Sequence, residues 1–224
     1  MTFSVVARCA QSGMFGVAIA SSSPAVAARC AYAKAGVGAI ASQNVTDPRL
    51  GTRGLELLTL GASASETAQI LAATVAHMAY RQVAIVDAAG RTAIHSGPNT
   101  LGTWSEALAE NVACGGNLLA NASVPQGMVD AFLAADSAFG LRLLSALRAG
   151  LSAGGEAGPI HSAGLKIVRD VPWPIADLRV DWSDACPIDA LEDLWARYEP
   201  QLEDYVLRAL DPTAAPSYGV PGDR

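Results

Sequence analysis

The sequence predicts an α+β fold: a four-layer αββα sandwich, with two mostly antiparallel sheets held between layers of helix. Three observations lead there. Strand-like and helix-like segments come in groups, where a doubly wound parallel sheet would alternate them one for one. Two hairpins are separated by helix pairs. The strands of the first hairpin are more apolar than half-solvated strands, so their sheet is covered on both faces.

The elements follow in order. Phe3–Ala7 is β-favouring, Gln11-Ser12-Gly13 signals a turn, and Phe15–Ala20 returns as a second strand. After Ser21-Ser22-Ser23-Pro24 an Ala-rich loop or short helix is expected, then a third strand at Gly36–Ser42. Thr52–Leu60 reads as a helix ended by Gly61. Ser63-x-x-Glu66 is a capping box opening a helix through Val75. Arg81–Asp87, the turn Ala88-Ala89-Gly90 and Arg91–His95 make the clearest hairpin, and a short strand is expected near Asn111–Cys114. The period then lengthens. Val129, Phe132 and Leu133 mark one helix, and Leu143, Leu144 and Leu147 mark another, ended by Gly150. Past the small-residue loop Ser152–Gly158 come a strand at Ala163–Val168, the break Pro172-Trp173-Pro174, a short strand at Leu178–Trp182 and a helical tail, Asp189–Leu210, interrupted at Pro200. Pro212–Arg224 is rich in Pro and Gly and predicted to fray. Residues 1–170 are expected to form the sandwich, and 171–224 a C-terminal strand–helix extension packed on it.

Composition narrows the function. Of 224 residues 51% are hydrophobic and only 16% charged, with a net charge of −6. The chain holds 13 arginines and two lysines, Lys34 and Lys166, in no basic cluster, which argues against nucleic acid as a partner. The acidic balance disfavours anionic membranes. So charge-poor a surface predicts a buried subunit interface, hence a homo-oligomer. The uncharged run Cys9–Ala28 imitates a leader or a span, but its serines, Pro24 and the strand-like residues before Arg8 oppose both, so a cytoplasmic chain is expected. Cys9, Cys30, Cys114 and Cys186 are isolated, and no paired spacing with His77, His95 or His161 suggests a metal site. Gly36-Val37-Gly38-Ala39-Ile40-Ala41 matches G-x-G-x-x-A outside the required strand–turn–helix context, so no dinucleotide or other cofactor is expected, and its glycines read as close strand packing.

The most informative position is Thr2. A methionine before a small residue is a good substrate for methionine aminopeptidase. Its removal leaves an α-amine, with a pKa of about 7.7–8.0, beside a hydroxyl, so one residue supplies both nucleophile and base. An internal Cys9 or Cys30 nucleophile is a separate hypothesis, excluded if thiol alkylation leaves activity unchanged.

Seven blocks carry a resemblance over nearly the whole chain: Thr2-Phe3-Ser4-Val5-Val6-Ala7-Arg8, Gly16-Val17-Ala18-Ile19-Ala20-Ser21, Ala35-Gly36-Val37-Gly38-Ala39-Ile40-Ala41-Ser42-Gln43, Gly51-Thr52-Arg53-Gly54-Leu55-Glu56-Leu57-Leu58, Tyr80-Arg81-Gln82-Val83-Ala84-Ile85-Val86-Asp87, Gly116-Asn117-Leu118-Leu119-Ala120 and Asp177-Leu178-Arg179-Val180-Asp181. In these the sequence resembles the bacterial Ntn-hydrolase-like domains of unknown function. The resemblance implies the same αββα sandwich. It also implies amide hydrolysis by Thr2, with Lys34 lowering the nucleophile's pKa by analogy with threonine-type members. It departs at Glu156, where related sequences carry Asp. On this reading Ser21 orients the Thr2 amine, Asn117 donates to the oxyanion through its side chain or the adjacent backbone N–H, and Arg53 binds a substrate carboxylate at a helix start. The implied function is hydrolysis of a small amide or cyclic amide. The alternative is a non-catalytic ligand- or peptidoglycan-binding protein on the same fold, with the Leu178–Leu210 region, including Trp182, Trp195 and Tyr198, as its binding segment.

Overall fold

A computed structural model describes residues 1–221. The first hairpin is β1 (Thr2–Arg8) against β2 (Phe15–Ser21), with Val5 opposite Ala18. β1 has a second neighbour, β8 (Val112–Asn117), which pairs with β7 (Ser105–Ala109). β9 (Ser162–Val168) adds to β2, and β10 (Ala176–Val180) closes that edge. The result is a six-stranded sheet in the order β10-β9-β2-β1-β8-β7. The second sheet has four strands in chain order: β3 (Ala31–Lys34), β4 (Gly38–Asn44), β5 (Arg81–Asp87) and β6 (Thr92–Ser96). Every pairing in both sheets is antiparallel.

The period of two along each strand builds three apolar layers. Phe3, Val5 and Ala7 of β1 turn outward to a core shared with α4 (Val124–Ala134) and α5 (Phe139–Ser152), through Phe132, Leu143 and Leu147. Val6, Val17 and Ile19 turn the other way, onto Ala39, Ala41, Ala84 and Val86 of the second sheet. Ile40, Val83 and Ile85 face a third layer, covered by Leu50 of α2 (Arg49–Thr59) and Leu71 of α3 (Ala64–Thr74). The sequence is therefore α+β, with two antiparallel sheets between helices. The high apolar fraction follows from burying both faces of both sheets.

The capping box forms as drawn from the sequence. Ser63 Oγ accepts the Glu66 N–H at 3.2 Å, and the Glu66 carboxylate accepts the Ser63 N–H at 2.8 Å. Toward the C-terminus, β10 belongs to the six-stranded sheet, and Ile188, Leu191 and Trp195 of α6 (Pro187–Tyr198) enter the same core as Phe132. A 3-10 turn at Glu199–Gln201 leads to α7 (Leu202–Leu210). Residues 222–224 of the stretch predicted to fray lie outside the described residues. No helix among the described residues is long and apolar enough to cross a membrane.

Two strands escape the sequence pattern. The Ala-rich stretch holds a five-residue helix, α1 (Val26–Cys30), followed directly by β3, and Ser105–Ala109 is strand β7. Both are short edge strands in which, apart from Tyr32 and Ser105, every residue is Ala, Leu, Glu or Lys, types with higher intrinsic preference for helix. Sheet pairing overrides that preference. Boundaries move too: α2 starts at Arg49 where Thr52 was expected, and the third strand is Gly38–Asn44.

The glycine pair divides its work. Gly36 sits in the turn before β4 at φ +70° with open space around it. A Cβ on Gly38 would lie 2.4 Å from the Val86 carbonyl oxygen, so the strands approach too closely for a side chain. Gly38→Ala is expected to cost about 1–3 kcal/mol through overpacking. Gly36→Ala should cost about 1–2 kcal/mol through its left-handed backbone. Urea denaturation checks both, as lowered midpoints at unchanged m.

Candidate active site

The inter-sheet layer is apolar along most of its length and polar at one end. There the register aligns a row of buried side chains across the six-stranded sheet. Asn117 of β8 is opposite Thr2 of β1, and Ser21 of β2 is opposite Ser162 of β9. Thr2 Oγ1 and Ser21 Oγ lie 3.3 Å apart, joining the two pairs. Thr2 is 6% exposed, and the other three are fully buried. Thr2 follows the phase of Ser4 and Val6, so its hydroxyl faces the second sheet. Met1 covers it: the Met1 carbonyl accepts hydrogen bonds from both Thr2 Oγ1 and Ser21 Oγ. Ser21 Oγ also accepts the Ser23 N–H at 3.0 Å, which fixes its rotamer.

Beneath the row lies a network of buried amides whose polarity is fixed by backbone carbonyls. Gln43 Nε2 donates to Gly115 C=O at 3.1 Å and to Gln82 Oε1 at 2.8 Å. Gln82 Nε2 donates to Gly116 C=O at 3.2 Å and to Ser96 Oγ at 3.0 Å. A carbonyl only accepts, so neither glutamine can turn over. Gln82 Oε1 must therefore receive Asn117 Nδ2, at 3.3 Å. Asn117 Oδ1 is left buried without a partner. Ser4 Oγ completes the network by donating to Gln43 Oε1 at 2.6 Å.

This revises the role assigned to Asn117. The Leu118 N–H donates to Leu101 C=O at 2.9 Å, and Asn117 Nδ2 is spent on Gln82. What Asn117 offers the site is an acceptor, where the sequence reading expected an oxyanion donor.

Glu156 enters from the loop after α5, where Leu119 and Glu156 form an isolated bridge. Its carboxylate receives the Ser22 N–H at 3.1 and 3.2 Å and is 5% exposed. Burial pushes its pKa up to about 7. The positive N-terminal amine, the Ser22 hydrogen bonds and His161 oppose that rise. Burial likewise raises the pKa of the Cys30 thiol, whose Sγ is 3.6 Å from Thr46 Oγ1. His161 is held by Ser183 C=O at 2.9 Å and stacks on Trp182 with ring centroids 4.3 Å apart.

Thr2, Ser21 and Asn117 are thus brought together, whereas Lys34 and Arg53 are placed elsewhere. Lys34 pairs with Gly38 at one end of β4, and Gln43, which marks the Thr2 end, is five residues along, roughly 17 Å at strand rise. Its Nζ donates to Thr59 Oγ1 at 3.1 Å on the surface. Lys166 is held by Asp177 at 3.2 Å and Ala31 C=O at 3.3 Å. Arg53 lies a turn inside α2, away from the helix start, and donates to Thr74 Oγ1 at 2.9 Å in the outer helix layer. Gln43, Gln82 and Glu156 were not assigned from the sequence. The two glutamines do leave a signal: each continues the inter-sheet phase of its strand, Ala39-Ala41-Gln43 and Gln82-Ala84-Val86. Glu156 is a lone charge in a small-residue loop. Among the described residues no group of three or more His, Cys, Asp or Glu is placed to hold a metal ion.

Two stacked antiparallel sheets between helix layers, with a hydroxyl at the head of a central strand, define the class as an αββα sandwich. Sequence comparison makes the assignment specific: the chain belongs to DUF1028, a family of unknown function, matched over residues 2–191. It is similar to the crystal structure of protein SPO2555 from Silicibacter pomeroyi, also DUF1028, at 29% identity over 91% of this chain and 89% of that one, with a TM-score of 0.85. Anbu (ancestral beta-subunit) from Yersinia bercovieri aligns over 91% of this chain and 96% of that one at 11% identity, with a TM-score of 0.38. No curated protein matches the chain.

A carboxyl whose folded pKa is raised stabilises the fold below its unfolded value and loses that contribution as pH rises through the folded one. For Glu156 the window runs from about 4.5 to about 7. Denaturation midpoints are expected to fall across that window, and the component due to this residue is expected to vanish in Glu156→Gln.

Proposed function

We propose that this protein is an amidohydrolase of the N-terminal nucleophile type, with Thr2 as nucleophile once Met1 has been removed, acting on a small-molecule amide. The supporting observation is the placement of Thr2: first residue of a central strand, its hydroxyl 3.3 Å from Ser21 Oγ, at the polar end of the inter-sheet layer and beneath Met1. Loss of Met1 frees the amine and exposes the hydroxyl together. The amine, partly unprotonated near neutral pH, takes the Oγ proton as Oγ adds to the amide carbonyl carbon. The C–N bond then breaks, and the proton passes to the leaving amine. Water hydrolyses the resulting ester, releasing the acid and restoring the Thr2 hydroxyl.

Ser21 Oγ already reaches the Met1 carbonyl, so in the processed chain it faces the new amine and orients it. Asn117 Oδ1 supplies an acceptor beside the same residue. With neither lysine in the row, the Thr2 amine acts without a lysine partner. The reading needs an intact mass, on protein expressed at native levels, that is lower by one methionine residue. Quantitative retention of Met1 would sink it. In an amide-substrate screen on the processed protein, Thr2→Ser should remain active and Thr2→Ala should lose roughly a thousandfold or more in kcat.

A further inference from the structure

Met1 does more than cover Thr2. Its carbonyl oxygen receives both hydroxyls of the row. Its side chain runs to the loop after α5, where a Cβ built on Gly158 would meet Met1 Cε at 3.8 Å. The Glu156 carboxylate sits on the Ser22 N–H, one residue along from Ser21, whose Oγ reaches the Met1 carbonyl, and the positive charge of the Met1 amine acts on that carboxylate. Carbonyl, side chain and ammonium are the three recognition points of an α-aminoacyl group: the carbonyl is hydrogen-bonded, the side chain lies against the loop, and the ammonium acts on Glu156 through its charge.

The surroundings suit such a group. A cavity of about 300 Å³ adjoins the site, lined by Leu151, Glu156, Gly158, Pro159, Ile160 and Asp184 among others. Its apolar wall accepts an aliphatic or thioether side chain. Its charged lining is acidic only, through Glu156 and Asp184. A buried carboxylate is costly without a counter-charge. The groups that oppose this cost at Glu156 are the Ser22 N–H, the N-terminal amine and His161. When Met1 departs, its ammonium leaves with it, and the amine that replaces it lies one residue further back, on Thr2.

We propose that Met1 occupies the substrate's place, that Glu156 anchors a substrate ammonium, and that the substrate is an amide of an α-amino acid whose amino group is free. The proposal rests on Thr2 being the nucleophile, which the experiment separates out. Met1-free protein is assayed with the para-nitroanilides of L-methionine and L-leucine and with their N-acetyl counterparts. The free-amine substrates are expected to show kcat/KM about 30-fold or more above the blocked ones. Glu156→Gln should lower the free-amine substrates by a similar factor and leave the blocked ones within a few-fold. Equal turnover of free and blocked substrates overturns the proposal. So does a Glu156→Gln variant that depresses both alike, because Glu156 would then be serving the Thr2 amine or the loop. The second arm titrates Met1-free Thr2→Ala protein by calorimetry with L-methionine amide and N-acetyl-L-methionine amide. If only the nucleophile assignment is wrong, no substrate is hydrolysed, but the free amide still binds and the blocked one does not. If the ammonium anchor is wrong, the two bind alike or neither binds.

Discussion

The whole arrangement depends on β1 having no face open to water. It lies between β2 and β8 in the plane of its sheet, with helices against one face and the second sheet against the other. A strand so enclosed can be polar only where neighbouring side chains supply partners. Along β1 the inter-sheet phase runs Val6, Ser4, Thr2, from apolar to hydroxyl as the strand approaches its start. The apolar part joins the two sheets through Ala, Val and Ile contacts. The polar part exists because Gln43, Gln82 and Asn117 meet it from facing and adjacent strands. Sheet packing and site are thus opposite ends of one layer.

The amide network shows how backbone geometry sets side-chain chemistry. Neither glutamine can flip, because each has donated to the carbonyl of a glycine on β8. Gly115 has no side chain to stand between the sheets, where a Cβ would meet Gln82 at 3.7 Å; Gly116 faces the other way, against Leu119. From these two bonds the direction of every other amide follows, out to Asn117, whose leftover group is an oxygen. Removing the Gln82 amide would leave buried donors on both Gln43 and Asn117, at a cost of about 1–3 kcal/mol for each group left unpaired.

The fold was largely legible because it is written in local signals: apolar, β-favouring runs in β1, β2 and β5, a complete capping box at Ser63, and Gly61 just past the end of α2; Gly150, expected to end its helix, instead lies inside α5, which runs on to Ser152. β3 and β7 were not legible, because their composition favours helix and only pairing with β4 and β8 makes them strands. The site was legible in proportion to its locality. Thr2 and Ser21 sit at the ends of a recognisable hairpin, so their meeting follows from register. Lys34 was misplaced because proximity in sequence to a strand does not say which end of that strand the site uses. Asn117 lies opposite Thr2, but the identity of its free atom is decided by amides on two other strands. Glu156 reaches Ser22 across 134 positions of chain, which no local pattern encodes.

A chain terminus is ordinarily the part of a domain that loosens first. Here the second residue is hydrogen-bonded into a strand paired on both sides, and it opens only if the centre of the main sheet opens. Amide protons around Thr2 therefore belong with the slowest-exchanging class, whose release tracks global unfolding. A hydroxyl placed this way holds its geometry without a closing loop. It also ties the lifetime of the site to the stability of the entire domain.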